Sequence, residues 1–281
     1  MNATTAGRSP RGARPRAHCT ADSAGGLTFD VAHDGAHERW DTGLLLRRRP
    51  AAGREAVEEV RLPLVPTSPG LLRAALPSTM TLAEGLWHAY LGTGERRRGR
   101  LLPGTHDLRS LVDRVPRPDR TWLGVRIPCT TSRGTLAVRA WHRWPHAEAT
   151  GVEVADGVLT LRGHLYGAEL GPDAVVEAVP PGAKEPVVAV PARAREPGFT
   201  ARLPLAALPG PGPAARAALL LRPSRAAAPV RLARILDDVA DKRNAVRHPA
   251  VALADGRQRV RPGYSAANEL LLRFEAAPAA S

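Results

Sequence analysis

The chain has 281 residues, with 40 Lys and Arg against 27 Asp and Glu, a formal charge of +13 and a pI near 11.2. That length suffices for two domains with separate cores, and such a charge ordinarily points to a polyanionic partner. Only Lys184 and Lys242 are lysines and the chain is rich in Ala, Gly and Pro, a composition typical of GC-rich codons, so part of the arginine excess is coding bias. The arginines are dispersed, with runs only at Arg47-Arg48-Arg49 and Arg96-Arg97-Arg98. No helix-turn-helix, zinc-finger or aromatic RNA-binding signature accompanies them, which disfavours nucleic acid as the partner.

The opening MNATTAGRSPRGARPRAH has no apolar h-region and reads as a disordered basic tail over residues 1–18. Short apolar runs broken by Pro, Gly and Asp then recur every 8 to 12 residues or so, the spacing of an all-β sandwich or barrel. Strands are predicted at 27–32, 42–47, 58–64, 71–76, 86–91, 122–127 and 135–141. In GLWHAYL, alternation puts Trp87, Ala89 and Leu91 on one face, which makes Trp87 a core residue. A second series is predicted at 158–165, 174–179, 187–190, 199–203, 214–221, 230–236 and 269–274. No run approaches the roughly 20 apolar residues of a membrane helix. Cys19 and Cys129 show no CxxC spacing, and two free thiols fit a reducing compartment; a cytoplasmic protein is expected.

The two series match in order. Gly-Leu-Thr-Phe at 26 corresponds to Val-Leu-Thr-Leu at 158, Ala-Leu-Pro at 75 to Arg-Leu-Pro at 202, Leu-Val-Asp-Arg at 111 to Val-Ala-Asp-Lys at 239, and Leu-Ala-Val-Arg at 136 to Leu-Leu-Leu-Arg at 270. Subtracting the start positions gives offsets of 132, 127, 128 and 134, a near-constant shift that argues for a tandem duplication. The expected fold is therefore all-β: two tandem immunoglobulin-like β-sandwiches at 19–143 and 157–275, a linker at 144–156 where Pro, His, Glu and Gly displace the alternation, and a tail at 276–281.

The densest chemistry is LDDVADKRN, residues 236–244. Asp237, Asp238 and Asp241 offer clustered oxygens of the kind hard cations favour, but the segment lacks the glycine and spacing of a calcium loop, and it contains no DxD triplet. In the duplication it faces PGTHDLRSLVDR, with Asp107 near Asp238 and Asp113 opposite Asp241. Acids followed by a base in both copies suit a connector whose carboxylates accept backbone N–H bonds and pair with Arg or Lys. HxxxH spacings occur at His33/His37 and at His142/His146, but Gly35 and Pro145 keep either pair from a helix and no third ligand is near. No GxSxG, P-loop or GxGxxG is present, and GTGERRRGR reads as a hairpin tip. Trp141 and Trp144 flank His142 and Arg143, where indoles beside arginines would stack on a sugar or grip an anionic polymer; packing between the two expected domains accounts for them as well.

With VRLARILDDVADKRN, the RLPL and ALPST turns and the ending RVRPGYSAANELLLRF, the chain resembles actinobacterial tandem β-sandwich proteins labelled "transferase". It is also similar to the accessory domains of teichoic-acid-type glycosyltransferases and CDP-glycerol glycerophosphotransferases. It departs from them at Gly263, Tyr264 and Ser265, where two adjacent aromatics and a Thr are usual, and at His106, where the second copy has Asp237. The resemblance implies association with cell-envelope glycopolymer synthesis and carries over no catalytic residue. The expected function is a non-catalytic binding or scaffolding module for such enzymes, with a glycosyltransferase or an anionic glycopolymer as partner. Its ligand-facing candidates are Asp237, Asp238, Asp241, Arg243, Trp141 and Trp144, with no metal or cofactor. The alternative is a transferase acting on a nucleotide-activated sugar or polyol phosphate.

Overall fold

The computed structural model describes residues 14–32, 41–48, 57–94, 96–112, 114–116, 121–206, 208 and 216–277. Among them the chain is all-β, with one short 3-10 turn at Arg109–Leu111. It divides into two compact units, Met1–Val115 with Gly124–His142, and Pro116–Leu123 with Arg143–Ser281.

The first unit contains β1 (Arg16–Ala21), β2 (Leu27–Ala32), β3 (Thr42–Arg48), β4 (Glu58–Pro63), β5 (Val65–Ser68), β6 (Leu71–Leu76), β7 (Gly85–Thr93), β8 (Arg96–Arg100), β9 (Leu102–Asp107), β10 (Leu123–Thr130) and β11 (Leu136–Arg143). One sheet runs β5-β6-β2-β1-β9 and the other β10-β11-β7-β3-β4, with β8 on β7. Alternation sets the buried faces: Ala17, Cys19 and Ala21 point inward from β1, and Trp87, Ala89 and Leu91 from β7. The Trp87 indole N–H donates to Ala83 O at 2.9 Å, as a buried indole requires. The expected tail to residue 18 is thus corrected, because β1 begins at Arg16; its inward residues are too small to register as an apolar run. Residues 1–13 and the pair His33/His37 lie outside the described residues.

The second unit contains β12 (His146–Ala155), β13 (Val158–Tyr166), β14 (Val175–Val179), β15 (Val188–Arg195), β16 (Gly198–Pro204), β17 (Arg216–Arg222), β18 (Val230–Ala233), β19 (Val251–Ala252), β20 (Gln258–Tyr264) and β21 (Leu270–Ala276). Here the immunoglobulin-like expectation is corrected. Pairing proceeds β14-β15-β16-β13-β12-β18-β17 and returns from β17 to β14, closing seven strands into a barrel, while β21, β20 and β19 extend from β17. Two strands make the corners. β15 pairs β14 through 188–191 and β16 through 192–195, and β18 pairs β17 through 230–231 and β12 through 232–233. Closure removes the free edges that a sandwich must protect. The interior is filled by Leu159, Leu161, Val176, Phe199, Leu203, Leu219, Leu221 and Leu272, among others; truncating one such leucine costs about 2–5 kcal/mol.

The expected linker at 144–156 is corrected too, since most of it is β12, which pairs antiparallel with β13 and parallel with β18. Its polar residues disguised it: His146 and Glu148 are 0% and 5% exposed, so polarity here marks a covered polar face and not a solvated connector.

The pairing order of the two units is the same. β12, β13, β14, β16, β17, β20 and β21 occupy the places of β1, β2, β3, β6, β7, β10 and β11, while β15 stands for β4 plus β5 and β18 for β8 plus β9. The only parallel pairs among the described residues, β1 with β9 and β12 with β18, occupy equivalent positions. Register repeats as well: Leu27 faces Leu76 and Phe29 faces Ala74, just as Leu159 faces Leu203 and Leu161 faces Ala201. The first unit breaks at Leu64 and Leu101, where the second runs straight through. At Leu101, fully buried, the N–H turns to Ala89 O at 3.0 Å and the carbonyl accepts from Leu136 N at 2.8 Å.

Candidate functional site

The segment after β18 is held from two sides by buried polar groups. From β12, the Glu148 carboxylate accepts the N–H groups of Ile235 at 3.0 Å and Leu236 at 2.9 Å, and its Oε2 lies 2.7 Å from Nε2 of His146. From the turn before β21, Asn268 is fully buried at φ +56°, a left-handed backbone that Asn tolerates better than other non-glycine residues. Its carboxamide accepts from Lys242 N at 3.0 Å and donates to Val239 O at 2.8 Å, and its carbonyl accepts from Arg234 N at 3.0 Å.

Within that frame Asp237 is surrounded by donors. Oδ1 accepts from Val239 N at 3.0 Å and Lys242 Nζ at 2.5 Å, and Oδ2 from Arg234 Nε at 3.1 Å. Lys242, 1% exposed, also donates to Val239 O at 3.0 Å. Burial pulls the Lys242 pKa down, against the opposing pull of Asp237. Asp241 takes the Arg243 backbone N–H at 3.1 Å and its guanidinium at 3.0 and 2.5 Å, near the surface. Asp238 is exposed. Tyr264 is buried beside this cluster, and burial pushes its hydroxyl up to about 12, with the charge of Arg234 opposing. Nearby, Glu269 collects Arg143 at 3.0 Å and Arg231 at 2.9 Å.

The three aspartates therefore do not converge. Asp237 faces the interior against Lys242, Asp241 clasps Arg243 in its own turn, and Asp238 faces solvent. Among the described residues no cluster of three or more His, Cys, Asp and Glu is placed to hold a metal. His142 is exposed and His146 fully buried on different strands. Trp141 is 2% exposed and belongs to a core, so it offers no stacking surface. Trp144 is 38% exposed, and its ring lies so close over Gly167 that a Cβ there would sit 2.4 Å from Cε2.

In the first unit Asp107 accepts the N–H of Arg109 at 3.3 Å and its guanidinium at 2.9 and 2.6 Å; these bonds pull its pKa down to about 2. A carboxylate that takes both the amide and the guanidinium of the residue two on is also the arrangement of Asp241 with Arg243. Asp113 lies outside the described residues. The first unit also buries a cation, Arg126 from β10, 3% exposed. Its guanidinium donates to the carbonyls of Gly25 at 3.2 Å, Pro77 at 2.8 Å, Ser78 at 3.4 Å and Met80, and burial lowers its pKa to about 10.

Sequence reasoning missed Glu148, Arg234 and Asn268. Their signal was local incongruity: a carboxylate two residues from a histidine in a supposed linker, and an Asn at the tip of a hairpin.

No protein-family model and no curated protein matches the chain. Among solved structures it is similar to the crystal structure of S. aureus TarS, with a TM-score of 0.30 and 10% identity over 75% of this chain and 38% of that one. It is also similar to S. aureus TarS 217–571, with a TM-score of 0.29 and 11% identity over 73% of this chain and 60% of that one. The chain spans less than two thirds of either.

Proposed function

We propose that the chain is one β module present twice by tandem duplication, and that it serves as a non-catalytic binding or scaffolding module for cell-envelope glycopolymer synthesis. One observation carries the non-catalytic reading: the clustered aspartates do not converge, and two of the three are committed to partners within the connector. Asp237 is neutralised by Lys242 and Arg234 while capping an amide, and Asp241 is clamped by Arg243. A general acid or base needs free oxygens and a path to substrate, and a carboxylate whose oxygens are taken up by an amide and by cations offers neither. The repeated strand order supports the duplication. The resemblance to accessory domains of teichoic-acid-type enzymes supports the setting, and the excess of exposed arginine supports an anionic partner.

The test is retention on immobilised poly(glycerol phosphate) together with a turnover assay using nucleotide-activated sugar and CDP-polyol donors. The proposal expects retention that weakens as salt rises and no turnover by the chain alone. Donor turnover that disappears on replacing Asp237, Asp238 and Asp241 by Asn would establish the transferase reading instead.

A further inference from the structure

The outer face of β13, β16 and β15 concentrates exposed positive charge. Arg162 faces Thr200 across one strand boundary, and Thr200 faces Arg193 across the next. One row along, Thr160 faces Arg202; on the other side Arg195 faces Gly198. The opposite face carries Leu159, Leu161, Phe199, Ala201 and Leu203, all buried, so alternation directs the four arginines outward. Neighbouring strands lie about 5 Å apart and alternate residues about 7 Å apart. The guanidinium stems therefore stand on a grid with about 7 to 10 Å between them.

Arg162 has a partner, Glu153 at 3.3 Å, with both side chains more than half exposed. Among the described residues nothing pairs with Arg193, Arg195 or Arg202. Glu196, exposed, stands in the turn between β15 and β16. Three arginines without an ion-pair partner among the described residues on one side of the barrel attract anions, and guanidinium forks match phosphate oxygens in geometry as well as charge.

We propose that this face binds a phosphodiester-linked polyol chain, with Arg193, Arg195 and Arg202 each taking phosphate oxygens and Thr160 offering its hydroxyl to the polyol, while the Thr200 hydroxyl donates to Leu161 O at 3.2 Å. The assignment rests on the anionic-polymer reading above and locates it. A flexible polyol phosphate suits the site better than a nucleic acid, because the aromatic rings described on this face, His164 and Tyr166, are only half-exposed and stack on each other, so they offer no free platform of the kind single strands use.

The experiment uses the full chain and short poly(glycerol phosphate), with binding measured by thermophoresis between about 50 and 200 mM salt. A triple variant R193E/R195E/R202E is compared with the control R133E/R225E/R257E, which makes the same charge change at exposed positions elsewhere. The face variant is expected to lose at least about tenfold in affinity and about 2 in the slope of log K against log salt, because three guanidinium–phosphate pairings no longer release counterions; the control is expected to stay within about twofold. Equal losses in both variants, or a face variant that binds like the parent, would overturn the assignment while leaving polymer binding intact. A parent chain that does not bind the polymer at all overturns both readings. Single-stranded DNA of matched charge that binds as tightly as the polymer, and equally through this face, would overturn the polyol assignment.

Discussion

Replacing Asp237 by Ala tests whether this carboxylate is structural. The substitution leaves the Lys242 ammonium 1% exposed with Val239 O as its remaining acceptor, and it also frees the Val239 amide and one face of Arg234. Breaking a buried pair from one side costs about 3–5 kcal/mol. Asp237 retains 19% exposure, so water replaces part of what is lost, and about 2–4 kcal/mol is expected. The cycle with Lys242→Met separates the causes. If the penalty comes from an orphaned ammonium, the double variant D237A/K242M recovers most of the loss, and the coupling energy approaches the cost of D237A itself. Urea unfolding is followed by hydrogen exchange at amides of 230–276, which isolates the second unit. A cost below about 1 kcal/mol, or additive single variants, would refute the claim that Asp237 is held for structure.

Asp241→Ala removes an exposed pair and is expected to cost less than about 1 kcal/mol by the same assay, a contrast that checks whether burial and not charge count sets the penalty. Glu148→Leu leaves two backbone amides and His146 without their acceptor; a loss of about 2–4 kcal/mol and faster exchange at Ile235 and Leu236 are expected. In the native protein Cys19, buried with its thiol pushed up to about 12 by burial, is expected to resist maleimide at pH 8 while the half-exposed Cys129 reacts; mass spectrometry should show one adduct per folded chain and two after denaturation. The thiol's raised pKa favours the folded state below about pH 9, and this contribution fades as pH climbs toward 12. The Asp107–Arg109 pair has the opposite sign: its contribution stands above the ordinary carboxylate value and is lost as pH falls through about 2, which a carboxyl chemical-shift titration would follow.

Much of the strand pattern was readable because alternation of apolar against polar residues survives in β2, β6, β7, β13 and β16, while β3 and β21 carry continuous buried leucine runs. The misses share a cause. β1 turns inward only Ala and Cys, and β12 turns outward His146 and Glu148, which are covered all the same, so neither carries the apolar signature that marks a strand. Barrel closure was hidden for a related reason. It depends on β15 and β18 each serving two neighbours, a property of pairing partners far apart in sequence and not of any local run. At LDDVADKRN the residue types correctly indicated a clasp, and Asp241 with Arg243 was legible as neighbours. That Lys242 would turn inward to Asp237 was not, because the connector's path is fixed by Glu148 and Asn268, which accept its backbone N–H groups from far away in sequence.

Ala147 meets Leu232 in the parallel pairing of β12 with β18, so 85 residues must be made before that contact can form. At a synthesis rate of 5–20 residues per second, one side of β12 waits on the nascent chain for roughly 4 to 17 s. Throughout that interval Glu148 has no amides to accept, and the charge that later fastens the connector keeps the waiting strand hydrated and discourages it from zipping onto a neighbouring polypeptide.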